Sequence, residues 1–380
     1  MGKIMIHSNA PWVPSGYGKQ TGHLARTLAG LGHEVVISSF CGLTGSPIEY
    51  QGMTVLPSGQ YEYGVDTLLH HINGWQPDAV ITLMDNWKLG PIADQLLAQT
   101  TCRVAAWAPV DCAPLSKLDD QVLKHGGIKP IAMSVHGQRQ LTEAGFVDVP
   151  YAPHVVNRQV FKPLPADNRQ RYREAMGLAD RFVIGICAAN NDSTRKGFPE
   201  QFEAFRRFHL KYPDALLLVH SIPKAARGLD LERLALDLGM DPSSVRFTDT
   251  YAQVSGTFDD SFMADWFGVL DVLSSCSYAE AFGVPMVEAQ ACGTPVVATL
   301  GSAMTTIKGP GWSVASDPFF NYVHGAWWAR PRIDSIVRRY ANAHEQAASR
   351  RAPARVFTEQ FDCQTTGEAH WKAIVEDLCS

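Results

Sequence analysis

The chain has 380 residues, 46% of them apolar and 19% charged, and a formal net charge of −5. That length holds two domains of ordinary size, each with its own core. The acid excess argues against a broad, sequence-independent grip on nucleic acid, though not against a local basic patch.

No apolar run approaches the ~20 residues needed to span a bilayer. The opening Met-Gly-Lys-Ile-Met-Ile-His enters a strand without the layout of a signal peptide, so the expected location is cytoplasmic. The 8 cysteines are scattered, with no Cys-x-x-Cys pair. They fit buried reduced thiols rather than a disulfide frame or a zinc site.

In chain order, Lys3–Ser8 reads as a strand, Asn9–Lys19 as a Pro- and Gly-rich loop, Thr21–Leu31 as a helix ended by Gly32, and Glu34–Ser38 as a strand. This βαβ unit begins a doubly wound sheet. Gly16, Gly18 and Gly22 invite a dinucleotide reading. A nicotinamide cofactor, however, wants an acid at the end of the second strand, and Val36-Ile37-Ser38-Ser39-Phe40 has none.

Strands follow at Ala79–Leu83, Arg103–Trp107 and Ile131–Ser134. Each leads into a polar or Pro-rich loop: Asp85-Asn86, Pro109-Val110-Asp111 and His136-Gly137-Gln138. Ligands of open α/β sheets bind beyond the carboxyl ends of the strands, so these loops are acceptor-side candidates. Pro and Arg enrichment from Tyr151 to Arg173 places a domain boundary near residue 164.

The second half repeats the pattern. Strand Phe182–Cys187 is followed by a polar loop containing Asn191, Arg195, Lys196 and Gly197, then by a helix over Pro199–Tyr212 with apolar positions at Phe202, Phe205 and Leu210. Strand Ala215–His220, helix Leu231–Leu238, strand Val245–Thr248 and a helix over Phe262–Val269 come next. From Ile333 to Ser380 the chain reads as helical. Arg338, Arg339, Arg350, Arg351 and Arg355 suit a solvated helix face better than a nucleic-acid patch.

Residues 271–299 carry the most chemistry. Val272–Leu273 ends a buried strand, a polar loop runs from Ser274 to Glu280, and Phe282-Gly283-Val284-Pro285 opens a helix over Met286–Ala291. Gly293 stops that helix before the strand Pro295–Thr299. Pro285 suits the first helical position. The amides of Gly283, Val284 and Met286 would then face outward at a helix N-terminus, where anions bind. Glu288 is the only charged residue between Ala281 and Ile307, and a buried carboxylate needs partners.

Glu280 and Glu288, with seven residues between them enclosing Phe-Gly-Val-Pro and followed by Ala-Cys-Gly-Thr-Pro-Val-Val-Ala, resemble the Glu-x7-Glu signature of retaining GT-B glycosyltransferases, family 4 in particular. Phe161 and Pro163 resemble the end of that family's interdomain linker, and Lys196-Gly197 its phosphate-facing loop. Three positions depart from it: Asp111 stands where a His is common, the Asn190-Asn191 region where an Arg is expected, and Val155 and Asn157 where Gly and Asp are usual.

The resemblance implies two Rossmann-like doubly wound parallel-sheet domains with an interdomain cleft. It divides the chain into an acceptor domain at 1–163, a donor domain at 164–350, and a segment 351–380 that crosses back to the first. It also implies transfer of a sugar from a nucleotide diphosphate sugar, a UDP- or GDP-sugar, to a hydroxyl acceptor: glycan, lipid, protein or modified nucleobase. Arg195, Lys196 and the amides of Phe282, Gly283 and Val284 would hold the diphosphate, with Asn191 nearby. Glu288 would hold the ribose hydroxyls, Glu280 would contact the sugar, and Gly16, Gly18 and Asp111 would border the site from the first domain. No cofactor or metal is expected, and the chain would be a monomer or homodimer. A nucleotide-sugar epimerase and a non-catalytic sugar-nucleotide-binding module are the alternatives.

Overall fold

The computed structural model describes residues 1–99 and 101–380, which form two compact units. The first comprises Met1–Val155, Asn321–Ala326 and Asp362–Ser380; the second comprises Val156–Phe320 and Trp327–Phe361. The division falls at Val155 rather than near 164, and the chain returns to the first unit at Asp362 rather than 351. The reason lies in the helix Ile333–Phe357, whose Ile336, Tyr340, Ala343 and Ala347 belong to the second unit's core.

The first unit holds seven strands: β1 (Lys3–Asn9), β2 (Glu34–Cys41), β3 (Ile48–Tyr50), β4 (Met53–Leu56), β5 (Ala79–Thr82), β6 (Arg103–Ala108) and β7 (Lys129–Ala132). Their order is β3-β4-β2-β1-β5-β6-β7, parallel except for the β3/β4 hairpin. β1 and β5 are buried along nearly their whole length, as strands covered by helices on both faces must be. The last helix, Thr366–Leu378, completes this unit by packing Trp371 edge-on against Trp107, ring centroids 5.0 Å apart.

The second unit contains β8 (Phe182–Cys187), β9 (Ala215–His220), β10 (Val245–Phe247), β11 (Val272–Ser275), β12 (Val296–Thr299) and β13 (Trp312–Val314). These make an all-parallel sheet in the order β10-β9-β8-β11-β12-β13. A separate two-stranded sheet joins β14 (Ser316–Asn321) to β15 (Ala326–Pro331).

The helix Phe198–His209 faces the larger sheet with Phe198, Phe202, Phe205 and Phe208, all fully buried. Each such side chain contributes about 1.5–3 kcal/mol. Leu210, expected on this stripe, is instead the helix cap and is exposed; Phe208 holds its place, four residues past Ala204 on the inward face. Among the described residues, no helix is long and apolar enough to cross a membrane.

Of the arginines read as a solvated face, Arg338 is exposed, but Arg351 and Arg355 are not. Arg351 donates to the carbonyls of Gly268, Leu270 and Cys292, and Arg355 to those of Phe161, Arg158 and Ala291. They cap the carboxyl ends of the helices Asp260–Val269 and Val284–Ala291, where unpaired carbonyls favour cations.

Candidate active site

The order in which strands are added reverses between β8 and β11, although all of them run parallel. From β8 the sheet grows toward β9 and β10, and from β11 toward β12 and β13. Ligands of doubly wound sheets bind at such a switch point, beyond the carboxyl ends of the two strands. The loops leaving β8 and β11 carry Lys196 and Glu280, so residues 84 apart in sequence meet there.

Lys196 Nζ donates to Glu280 Oε1 at 2.5 Å, Ser277 Oγ donates to the same oxygen at 2.7 Å, and Arg195 Nη1 reaches Oε2 at 3.4 Å. The side chains of Lys196 and Glu280 are only 12% and 13% exposed. Burial pushes the Glu280 carboxyl up, but Lys196, then Arg195, then the hydrogen bonds from Lys196 and Ser277 outweigh it and hold the group below its usual value. The result is two cations gathered round one carboxylate. It sits where a helix begins on either side.

Several further contacts hold the two loops in register. Gln201 donates from Nε2 to the Lys196 carbonyl at 2.8 Å and accepts at Oε1 from Ser274 Oγ at 2.7 Å. Tyr278 donates its amide to the Arg195 carbonyl at 2.7 Å and its hydroxyl to Glu200 Oε1 at 2.6 Å. Gly197 has φ 58°, and a Cβ there would stand 2.4 Å from the Cys276 carbonyl oxygen, so no larger residue lets the loops approach this closely. The Glu280 amide donates to Ser302 Oγ at 3.0 Å.

The helix after β11 is Val284–Ala291, started by Gly283 at φ 97° and ψ 59°, with Pro285 in its first turn. The Met286 amide, expected to face outward, is donated to the Gly283 carbonyl at 3.0 Å. The outward donors of this turn are thus sought at Phe282, Gly283 and Val284, since Pro285 has none. Phe282 is buried with its ring edge-on to Phe361, centroids 5.6 Å apart. Glu288, one turn into the helix, is 5% exposed, and its charge helps push the Cys292 thiol upward, after burial.

Asn191 is exposed on the β8 loop, whereas its neighbour Asn190 is buried and structural. Asn190 donates to the carbonyls of Ile222 and Leu229 and accepts from the Leu229 amide, pinning the loop that follows β9. In the first unit, Ser15 caps the helix Gly16–Gly30 by accepting from the Gly18 amide at 3.0 Å. Asp111 follows β6 and is partly exposed; it lies beside Cys112, whose carbonyl contacts His136 Nε2 at 3.0 Å. Gln201, Ser277, Tyr278 and Ser302 escaped sequence reasoning. Only Ser277, three residues before Glu280, offered a local signal. Among the described residues, no group of three His, Cys, Asp or Glu side chains is placed to hold a metal ion.

Residues 181–318 match the family described as glycosyl transferases group 1. Over 295 residues the chain is 27% identical to the D-inositol 3-phosphate glycosyltransferase of Mycobacterium leprae (strain Br4923), a match covering 75% of this chain and 63% of that protein. The chain therefore spans less than two thirds of this relative's length.

Two solved structures superpose on nearly the whole chain. A glycosyltransferase from Rickettsia africae ESF-5 gives a TM-score of 0.71 at 17% identity, covering 99% of this chain and 98% of that one. Anabaena Alr3699/HepE, solved in complex with UDP and glucose, gives 0.69 at 15% identity, covering 99% and 100%. The chain thus has the GT-B fold of the glycosyltransferases it superposes on, with a match to glycosyl transferases group 1 across the sheet of its second unit.

Proposed function

We propose that this chain is a retaining glycosyltransferase whose second unit holds a nucleoside diphosphate sugar, a UDP- or GDP-sugar, and passes the sugar to a hydroxyl acceptor. One observation carries the reading: Lys196 and Arg195 converge on Glu280 at the β8/β11 switch point, beside the turn at Gly283. Fixed cations in a partly dry site stabilise a diphosphate most as it departs, when its charge grows. The amides of the Phe282–Val284 turn add donors to the same anion. Glu288 has two oxygens for the two ribose hydroxyls, and Glu280 accepts from hydroxyls of the transferred sugar.

In this reading the acceptor oxygen bonds to the anomeric carbon on the face from which the diphosphate leaves. The bond from carbon to phosphate oxygen breaks, and the acceptor's proton passes to that phosphate oxygen. The two cations supply the charge stabilisation, so the route requires neither a metal ion nor a protein nucleophile. Asp111 is the first unit's candidate for orienting the acceptor.

NMR of the chain incubated with α-linked UDP-, GDP- and ADP-sugars tests this. We expect free nucleoside diphosphate from one donor and, with water as acceptor, the α anomer of the released sugar appearing first. The β anomer first would overturn retention. An isomerised sugar nucleotide would indicate an epimerase, and no turnover of any donor would indicate a binding module.

A further inference from the structure

The strands β14 and β15 form a two-stranded sheet of their own, apart from the six-stranded one. Two strands alone are marginal in water and need something to pack against. Phe319 and Trp328 lie with ring planes 21° apart and centroids 6.4 Å apart, and Phe319 meets the Tyr278 ring edge-on at 5.2 Å. The Ala329 amide donates to the Tyr278 carbonyl at 3.0 Å. The hairpin therefore leans on Tyr278, which stands two residues before Glu280.

Tyr278 is held at its remaining polar atoms as well. Its amide goes to the Arg195 carbonyl and its hydroxyl to Glu200 Oε1. Arg330, on β15, donates from Nε to that same oxygen at 3.2 Å. Glu200 is 5% exposed, and its Oε2 is buried without a hydrogen-bond partner, so both bonds fall on Oε1. A buried carboxylate is costly unless it is paired, and Arg330 supplies the opposite charge. Burial, then the hydrogen bond to Glu200, push the Tyr278 hydroxyl upward, so it stays protonated and donating at neutral pH. Glu200 lies in the first turn of the helix Phe198–His209, four residues after Lys196. Arg330 thus joins the Lys196 loop, through Glu200, to the Glu280 loop, through Tyr278.

We propose that Arg330 is a positioning residue for sugar transfer: acting through Glu200 and Tyr278, it fixes the segment that presents Glu280 to the sugar. This rests on the transferase reading above. Its effect falls on orientation more than on nucleotide binding, because Lys196 is anchored separately, its carbonyl accepting from Gln201. A carboxylate displaced from the reacting sugar costs rate, since catalytic geometry tolerates little misplacement.

The test measures turnover of UDP-glucose, ADP-glucose and GDP-mannose, with water as acceptor, by the full chain and by Arg330→Ala, Glu200→Gln and the double variant. Hydrogen exchange over residues 277–283 is followed in the same four proteins. The Arg330 side chain is 57% exposed, so Arg330→Ala is expected to fold. It should lower kcat by about 10–10²-fold and move the donor KM by less than about threefold. Exchange over 277–283 should be at least about threefold faster, the mark of a loosened segment. Added to the isosteric Glu200→Gln, Arg330→Ala should cost less than about twofold more, because the two act along one path. Unchanged kcat or unchanged exchange in Arg330→Ala, a raised KM with kcat intact, or additive losses in the double variant would each overturn the proposal. Absence of turnover by the native chain overturns the transferase reading and this inference with it, whereas native turnover that Arg330→Ala leaves intact overturns this inference alone.

Discussion

Lys196→Ala is expected to lower kcat/KM for sugar transfer by about 10²–10³-fold, the usual effect of removing one preorganised group aimed at developing charge. The effect is large because Lys196 is nearly buried and sits 2.5 Å from Glu280, so its ammonium is already oriented before any diphosphate arrives. The same substitution leaves Glu280 with Ser277 at 2.7 Å and Arg195 at 3.4 Å, a weaker set of partners for a carboxylate that is 13% exposed. Stability should therefore fall by about 1–3 kcal/mol, read as a lower melting temperature. The double variant Lys196→Ala/Glu280→Gln separates the two losses. It should recover most of the stability, because no buried charge is left poorly paired, and none of the rate. Recovery of rate along with stability would mean that Lys196 serves only to neutralise Glu280.

Glu280→Gln is the second large effect: a kcat lowered by about 10²-fold with the fold retained, since the amide keeps the shape but not the charge that orders both cations. Its pH signature follows from linkage. The Glu280 carboxyl is held below its usual value of 4.5 in the folded chain. Its stabilisation is therefore fully present above that value and is lost as pH falls through the lower folded value, where the folded state finally takes up the proton. The difference in melting temperature between the native chain and Glu280→Gln should be constant at neutral pH and shrink only on acidification below the usual carboxylate range. A difference that shrinks instead between pH 6 and 8 would contradict the ion-pair geometry.

The elements that carry this chemistry were legible because their signals are local. The strand Phe182–Cys187 stands where its residues predict, and the turn at Gly283 with Pro285 behind it follows from backbone preferences within four residues. What the residues concealed depends on distance along the chain. Nothing near Glu280 announces that Lys196 is its partner, nor that Gln201 and Tyr278 stitch the two loops together. The arginines at 350, 351 and 355 look like a charged surface, yet they point at carbonyls of a distant turn and of other helix ends, and only the packed fold reveals those carbonyls. The short strands β3, β4, β14 and β15 went unread for a different reason. β3 is exposed and β14 carries Asp317 and Pro318, while β4 and β15 interleave buried residues with partly or fully exposed ones, so none has the continuous buried apolar run that marks the central strands.

The account's central claim is that a nucleoside diphosphate binds where Lys196 and Arg195 meet the turn at Gly283. Titration calorimetry of UDP, GDP and ADP, each free and as its glucose conjugate, against the native chain and Lys196→Ala tests it most directly. The account predicts saturable one-to-one binding of one nucleotide class, weakened at least about tenfold in Lys196→Ala, as expected for a lost charge-assisted contact to phosphate. Absence of binding by all six at millimolar concentration, or equal affinity in the two proteins, would contradict it.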